Sequence, residues 1–425
     1  MDWGSVPVRF DNARRGVSQV VVRHTSGRID RLSPSPGVLF IVSQPFFEWR
    51  GSPIRVGFDL EALAGLGYAV TLLTLPLGRE RLIPGVRILR VPNLFRVSRI
   101  SIGPSLLKLA FDALLFLRGL ALCLRRRYAV IHGVEDAAFP AALLALLTRS
   151  RFVYEKHSDP GSYRGGRGKN IVMGLYGALE RWMIRRAHAV IATGPGLAEQ
   201  VRAASPTVSV HHIFDIPSSL QEADPEKTRK IGAALRRRDD EVLVSFVGSF
   251  ASYQGVDLLI EAIPAALMQA PFARFVIIGG TAEEIALRKE TLAARGVGGA
   301  VTFLGFVPPD ELPDYLAASD ILLSPRLAGR NTPLKILDYL KAGRAIVATD
   351  TEANRLLLSD ETALLVPPEP AAFARGIARL VLDSETRLAL GRAGSRLIAG
   401  RYNFQEFSRL LGECYRGVLG AEAGR

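Results

Sequence analysis

Short runs in which nearly every position is apolar alternate, twice over, with longer stretches of helical period. That alternation limits the fold more than any other feature. The first series opens at Gly37 with VLFIVS and continues through YAVTLLTL, VRILRVPN, AVIHG, RFVYEKH and AVIATG to VSVHHIF. The second opens with VLVSFVG and runs through RFVIIGG, VTFLGFV, DILLSP, AIVATD and TALLVPP. A strand that is apolar on both faces must be covered on both. Strand–helix–strand units do this by building a parallel sheet between two helical layers. The pattern predicts an α/β chain of two tandem Rossmann-like, doubly wound domains, with ligands in a crevice between them. The 425 residues suffice for two cores. The expected division is a flexible basic tail over 1–35, a first domain over 36–215 and a polar connector over 216–238. A second domain covers 239–400, and a C-terminal helix over 401–425 crosses back to the first domain.

One stretch carries the densest signal, Gly329 to Asp350, GRNTPLKILDYLKAGRAIVATD. Thr332 before Pro333 reads as a hydroxyl cap followed by a ring at the first helical position. Leu334, Ile336, Leu337 and Leu340 give an apolar face, and Gly343 stops the helix. Unpaired amides at such a start attract an anion, most often a phosphate. Lys335 lies in the first turn, and Asp338, three residues on, shares its side. That set suits a nucleotide, with diphosphate at the helix tip and ribose hydroxyls on Asp338. A capped surface helix with a Lys–Asp pair accounts for the same residues equally well.

Other candidates fall at the ends of predicted strands. Gly51, Ser52 and Pro53 join the first strand to the first helix, and Gly248 to Gly255 (GSFASYQG) fills the equivalent turn in the second half. Glycine lets a backbone approach a phosphate; an ordinary turn needs the same residues. His157 and Glu135 each follow a strand at that edge. His132 and His188 read as packing residues, and His211 and His212 have no assignable role. The Gly161–Asn170 loop departs from phosphate-loop spacing at Tyr163 and Asn170 and reads as a mobile surface or acceptor-side loop. D-x-D and G-x-S-x-G are both absent, so neither a metal-binding carboxylate pair nor an acyl-transfer triad is indicated.

The net charge of +13 and pI near 10.1 invite an anionic partner. No signature of nucleic-acid binding accompanies the charge. Residues 104–127 form a long apolar helix ending in Arg125, Arg126 and Arg127. Lys108, Asp112 and Arg118 make it a poor membrane span. It suits core packing, or an amphipathic surface resting on anionic lipid. Cys123 and Cys414 read as buried thiols of a reducing compartment. No apolar leader segment precedes residue 37, so the expected location is cytoplasmic, with possible peripheral contact with a membrane.

Together, FVGSFASYQGVDLLIEA, TFLGFVPPDELPDYLAASDILLSP, NTPLKILDYLKAGRAIVATD and RYNFQEFSRLLGECYRGVL resemble the GT-B glycosyltransferases of family 4 over roughly residues 37 to 420. The resemblance implies transfer of a sugar from a nucleotide-sugar donor, with retained configuration and no metal or other cofactor. The acceptor would be a glycan or a lipid-linked glycan, in polysaccharide or glycolipid assembly. His157 matches the family's histidine at the donor-sugar face, Asp338 the second acid of its E-x7-E motif and Gly51 its glycine loop. Ser249 and Gln254 stand where the family commonly has Arg and Lys, and Arg330 stands where it has the first acid. Arg326, Arg330 and Lys335 are expected to supply the missing positive charge. His157, Lys335 and Arg330 are the candidate catalytic groups. The donor would also meet Gly51, Ser52, Gly248, Ser249, Gln254, Arg326, Asn331, Thr332, Pro333, Leu334 and Asp338. A sugar-nucleotide epimerase and a non-catalytic scaffold of the same fold are the alternatives.

Overall fold

The computed structural model describes residues 35–48, 51–98, 100, 106–159, 167–328 and 332–420. Candidates Arg330 and Asn331, the tail over 1–34 and most of the Gly161–Asn170 loop lie outside them. The first sheet has seven strands: β1 (Gly37–Val42), β2 (Ala69–Thr74), β3 (Val86–Arg90), β4 (Val130–Val134), β5 (Arg151–Lys156), β6 (Ala189–Ala192) and β7 (Ser209–His212). Their order is β3-β2-β1-β4-β5-β6-β7, and every pairing is parallel. Its helices are α1 (Gly51–Gly65), α2 (Leu106–Arg125), α3 (Ala138–Thr148), α4 (Arg167–Arg186) and α5 (Pro195–Ala204). The order reverses between β1 and β4, so ligands are expected beyond the carboxyl ends of those two strands.

After α6 (Pro225–Leu235), a second parallel sheet repeats the logic with β8 (Val242–Val247), β9 (Ala273–Ile278), β10 (Val301–Gly305), β11 (Ile321–Ser324), β12 (Ala345–Thr349) and β13 (Leu364–Val366). Its order is β10-β9-β8-β11-β12-β13, with the reversal between β8 and β11. Around it lie α7 (Val256–Gln269), α8 (Ala282–Ala294), α9 (Leu312–Ala318), α10 (Leu334–Lys341), α11 (Glu352–Arg355), α12 (Pro370–Leu382) and α13 (Ser384–Gly400). The last helix, α14 (Phe404–Gly420), leaves the second lobe and packs on α1.

The apolar strand runs explain the layering. Every residue of β1, β4 and β12 is buried. One face of the first sheet packs under α1 and α14, through Val38, Phe40, Leu60, Phe407 and Leu411. The other packs under α2, α3 and α4, through Leu39, Ile41, Leu115 and Leu144. Each such side chain contributes roughly 1.5–3 kcal/mol on burial.

Four boundaries differ from the sequence expectation. Helix α1 begins at Gly51, so Gly51 and Ser52 are its first residues rather than the turn before it. Helix α4 begins at Arg167, inside the expected loop. The connector holds α6, which is capped by Asp224 accepting from Glu226 N (2.8 Å) and Lys227 N (3.1 Å), with Pro225 at its first position. Helix α10 begins at Leu334: Pro333 has ψ 94°, so it precedes the helix, and Thr332 is one residue too far back to cap it.

Phe407 of α14 is fully buried beneath the Arg55 guanidinium, 5.2 Å from its ring centroid. Phe407→Ala is expected to cost about 3–5 kcal/mol in denaturant unfolding. A loss below about 1 kcal/mol would show that α14 adds little to this core.

Candidate active site

The start of α10 is an uncapped set of donors. No side chain caps it, and the N–H groups of Leu334 and Lys335 find no acceptor among the described residues. Such an end carries partial positive charge. The start of α1, in the other lobe, faces it. A Cβ on Gly51 would stand 2.9 Å from Leu334 Cδ1, so the two helix starts are in close contact here and a larger residue would require the Leu334 side chain to shift.

Lys335 leads from α10 to the carboxyl end of β8. Its Nζ donates to Gln254 Oε1 (2.7 Å) and lies 4.5 Å from the centre of the Phe246 ring. Arg326, just beyond β11, is buried; its Nε donates to Ala328 O (2.9 Å) and its guanidinium lies over Tyr253 at 5.3 Å. Neither cation has an ion-pair partner among the described residues. Burial, and secondarily the charge of Arg326, push the Lys335 amine down to about 7. Burial likewise lowers Arg326. The turn beneath them requires Gly255: it has φ +72°, and a Cβ there would fall 1.7 Å from Pro325 O. Ser249 is exposed in the same turn, and a Cβ on Gly248 would come 3.4 Å from Lys335 Nζ.

Asp338 faces the connector. Its carboxylate accepts from Ser218 N (2.6 Å) and Ser218 Oγ (2.7 Å), and burial raises its pKa to about 6. Lys341 Nζ donates to Ser219 O (3.0 Å) and Gln221 O (2.5 Å). These bonds tie the helix that carries Lys335 to the segment joining the lobes. A cavity of about 100 Å³ lies between that segment, Leu312 and Asp338.

In the first lobe, His157 follows β5 and meets the first turn of α1. Its Nδ1 lies 2.7 Å from Ser52 Oγ, which accepts from Gln44 Nε2 (2.8 Å). Its Nε2 lies 2.9 Å from Glu155 Oε1. A carboxylate there fixes the proton on Nε2, so Nδ1 accepts from the Ser52 hydroxyl. Glu135, at φ +51°, holds the same loop: its carboxylate accepts from the N–H groups of His157 and Ser158 and from Ser158 Oγ.

Glu155 is the hub of a buried network. Arg55 Nε donates to its Oε1 (2.5 Å), and His132 Nε2 lies 3.0 Å from its Oε2. His132 Nδ1 in turn meets Tyr415 OH of α14 at 2.7 Å. Arg55 Nη1 also bonds Phe214 O and Asp215 Oδ1, each at 3.1 Å. Asp59, one turn after Arg55, is fully buried, and neither of its oxygens has a donor. Burial first and the charge of Glu155 second raise its pKa well above the carboxylate range, so Asp59 is carried as a neutral acid able to donate to Glu155. Although burial alone would raise Glu155, Arg55 and the two histidines hold it well below that range. His132, taken from the sequence as a packing residue, is a member of this network.

The geometry thus brings together two groups of sequence candidates. Lys335, Arg326, Gln254, Gly248 and Leu334 gather at the end of the second sheet. His157, Ser52 and Gly51 gather at the start of α1. Asp338 lies on the connector side of α10. Sequence reasoning missed Glu155, Arg55 and Asp59. Glu155 shares a strand face with His157, two residues on, and Arg55 and Asp59 share a helix face at i, i+4; a charge inside an otherwise apolar pattern was the available signal.

Two tandem Rossmann lobes with a switch point in each and a crevice shared by α1 and α10 define the GT-B class of fold. Residues 51–213 match the family model described as a glycosyl transferase 4-like domain, and residues 241–383 the one described as glycosyl transferases group 1. The chain belongs to this family of glycosyltransferases. Among curated relatives, an alpha-D-kanosaminyltransferase of Streptomyces kanamyceticus is 28% identical over 247 residues, 56% of this chain and 63% of the relative. The match therefore spans less than two thirds of that relative's length. Among solved structures, sucrose-phosphate synthase from Thermosynechococcus elongatus superposes with TM-score 0.71 at 20% identity, covering 91% of this chain and 100% of that one. Anabaena HepE in complex with UDP superposes with TM-score 0.68 at 17% identity, covering 89% and 98%.

Because Asp59 binds its proton more tightly folded than unfolded, its burial costs stability increasingly as pH rises from its ordinary value of 3.8. Asp59→Asn keeps the shape and removes the titration. Its melting temperature relative to wild type is expected to increase between about pH 5 and pH 8. A relative melting temperature that stays flat or falls over that range would show that Asp59 is ionised in the fold.

Proposed function

We propose that the chain is a retaining glycosyltransferase that moves a sugar from a nucleotide-sugar donor to a glycan or lipid-linked acceptor, in the building of cell-surface polysaccharide or glycolipid. The observation that carries the proposal is the pair of cations, buried Arg326 and half-buried Lys335, held without a carboxylate among the described residues beside the open amides of α10. Burying charge without a partner is costly, and a diphosphate is the anion that fits a helix start flanked by two cations. In this reading the donor diphosphate lies at Leu334 and Lys335. The donor sugar faces Ser52 and His157 across the gap.

As the bond between sugar and diphosphate breaks, negative charge gathers on the departing phosphate oxygen. Lys335, Arg326 and the α10 amides stabilise it where it develops, in a site already shaped to receive it. The acceptor hydroxyl attacks from the face the phosphate leaves and passes its proton to that phosphate, which retains the anomeric configuration. His157, its proton fixed on Nε2 by Glu155, offers Nδ1 toward the Ser52 hydroxyl and positions the sugar. Gln254 would hold the Lys335 amine until the diphosphate arrives.

The test is to incubate the chain with UDP-, GDP- and ADP-sugars and candidate acceptors and to assign the product's anomeric configuration by NMR. A glycoside with the donor's configuration is expected. Lys335→Ala should lower kcat by about 100-fold or more, the usual cost of one lost charge-stabilising donor. An inverted product, donor consumption with no glycoside, or unchanged turnover in Lys335→Ala would contradict the reading.

A further inference from the structure

The outer surface of the α2–α3–α4 layer is built unlike an ordinary solvent face. Helix α2 buries one side against the first sheet through Phe111 and Leu115. Its opposite side is apolar as well: Leu109, Leu117 and Leu124 are 64%, 60% and 80% exposed, with Ala113 and Ala121 between them. Spacings of four, four, four and three residues put all five on one stripe. Helix α3 beside it repeats the arrangement, with Phe139, Leu146 and Leu147 exposed. A water-facing helix normally turns its polar residues outward. Contiguous apolar surface on this scale marks an interaction site.

Charge identifies the partner. Arg125, Arg126 and Arg127 are exposed at the end of α2, Arg149 after α3, and Arg185 and Arg186 at the end of α4. A single cation at each helix end would serve the helix dipole; this layer carries six. Among the described residues of these three helices, no acid opposes them on the outer surface. Helix α3 contains no carboxylate. Asp112, the one acid of α2, is bonded to Ser43 Oγ. Glu180, the one acid of α4, is bonded to Tyr154 OH (2.9 Å) and Lys156 Nζ. Exposed leucines next to exposed arginines, with every acid turned inward, are the composition that enters the headgroup region of an anionic bilayer. No described helix is long and apolar enough to cross one.

We propose that the α2–α3–α4 layer is a docking surface for an anionic membrane. The leucine stripes of α2 and α3 enter the interface, and the arginine band pairs with lipid phosphates. This assignment stands apart from the donor chemistry proposed above. Helices of a parallel α/β layer start at the carboxyl ends of the strands and end at their amino ends, so the arginine band lies at the edge of the first sheet opposite the crevice.

The test is flotation of the full chain, without donor, with vesicles of phosphatidylcholine containing roughly one-third phosphatidylglycerol, compared with phosphatidylcholine alone. Binding to the anionic vesicles, weakened by added salt, is expected. The double variant Leu117→Glu/Leu124→Glu and the triple variant Arg125→Glu/Arg126→Glu/Arg127→Glu should each weaken partitioning by about tenfold or more. All five positions are exposed, so circular dichroism and melting temperature should match wild type. Absent binding to anionic vesicles, or binding that neither variant changes, would overturn the proposal. So would light scattering showing a dimer that Leu117→Glu/Leu124→Glu dissociates while flotation is unchanged, since the stripe would then be covered by a second copy. A chain that floats as expected but binds no nucleotide-sugar leaves the surface assigned and defeats only the transferase reading.

Discussion

Two cations drawn out of water, Arg326 fully and Lys335 in part, with no anion beside either among the described residues, are the constraint on which the second lobe's crevice depends. Lys335 and Arg326 sit beyond the ends of β8 and β11, where the strand order reverses, and each is held by neutral groups: an amide oxygen, a backbone carbonyl, an aromatic face. Desolvation and mutual repulsion draw the Lys335 amine down to about 7. A stable core would replace such a lysine or give it a carboxylate. Keeping it there makes sense where an anion completes the arrangement, and the unpaired amides of α10 supply the rest of that anion's coordination.

The first lobe meets this end with a different device. His157 has its ring held at both nitrogens, by Ser52 and Glu155, and its loop held by Glu135. Glu155 stays charged because Arg55 lies against it, while Asp59 takes up the proton that the crowded site rejects. Tyr415 on the last helix reaches His132 in the middle of the first sheet, so the end of the chain helps set the histidine network near the crevice. Asp338 and Lys341 bind the connector to α10 on the other side. Both lobes are therefore tied to the segments that join them.

The fold was legible because its signal is coarse. A strand buried on both faces needs an apolar run whatever its neighbours, so VLFIVS or AIVATD could be read alone. Boundaries depend on single caps. Helix α6 hides in a polar sequence because its stability rests on Asp224 and Pro225 rather than on an apolar stripe. Thr332 looked like a cap until the ψ of Pro333 moved the helix start by one residue. In the site, Lys335 and Ser52 could be placed by motif, whereas Glu155, Arg55 and Asp59 matter only because β5 lies beside α1 at a sequence separation of about a hundred residues. The sequence left the α2 helix open between core packing and a lipid-facing surface for a related reason: a helix apolar on every side reads the same whether covered or exposed.

The central claim is that Lys335 waits, largely uncharged at alkaline pH, for a diphosphate. Calorimetric titration of UDP into the chain, at a pH about one unit above the lysine's value of about 7 and in buffers of different ionisation enthalpy, measures this directly. The account predicts binding coupled to uptake of close to one proton, because the anion favours the charged amine, and loss of that uptake in Lys335→Met. Binding with no proton exchange, or the same exchange in Lys335→Met, would contradict it.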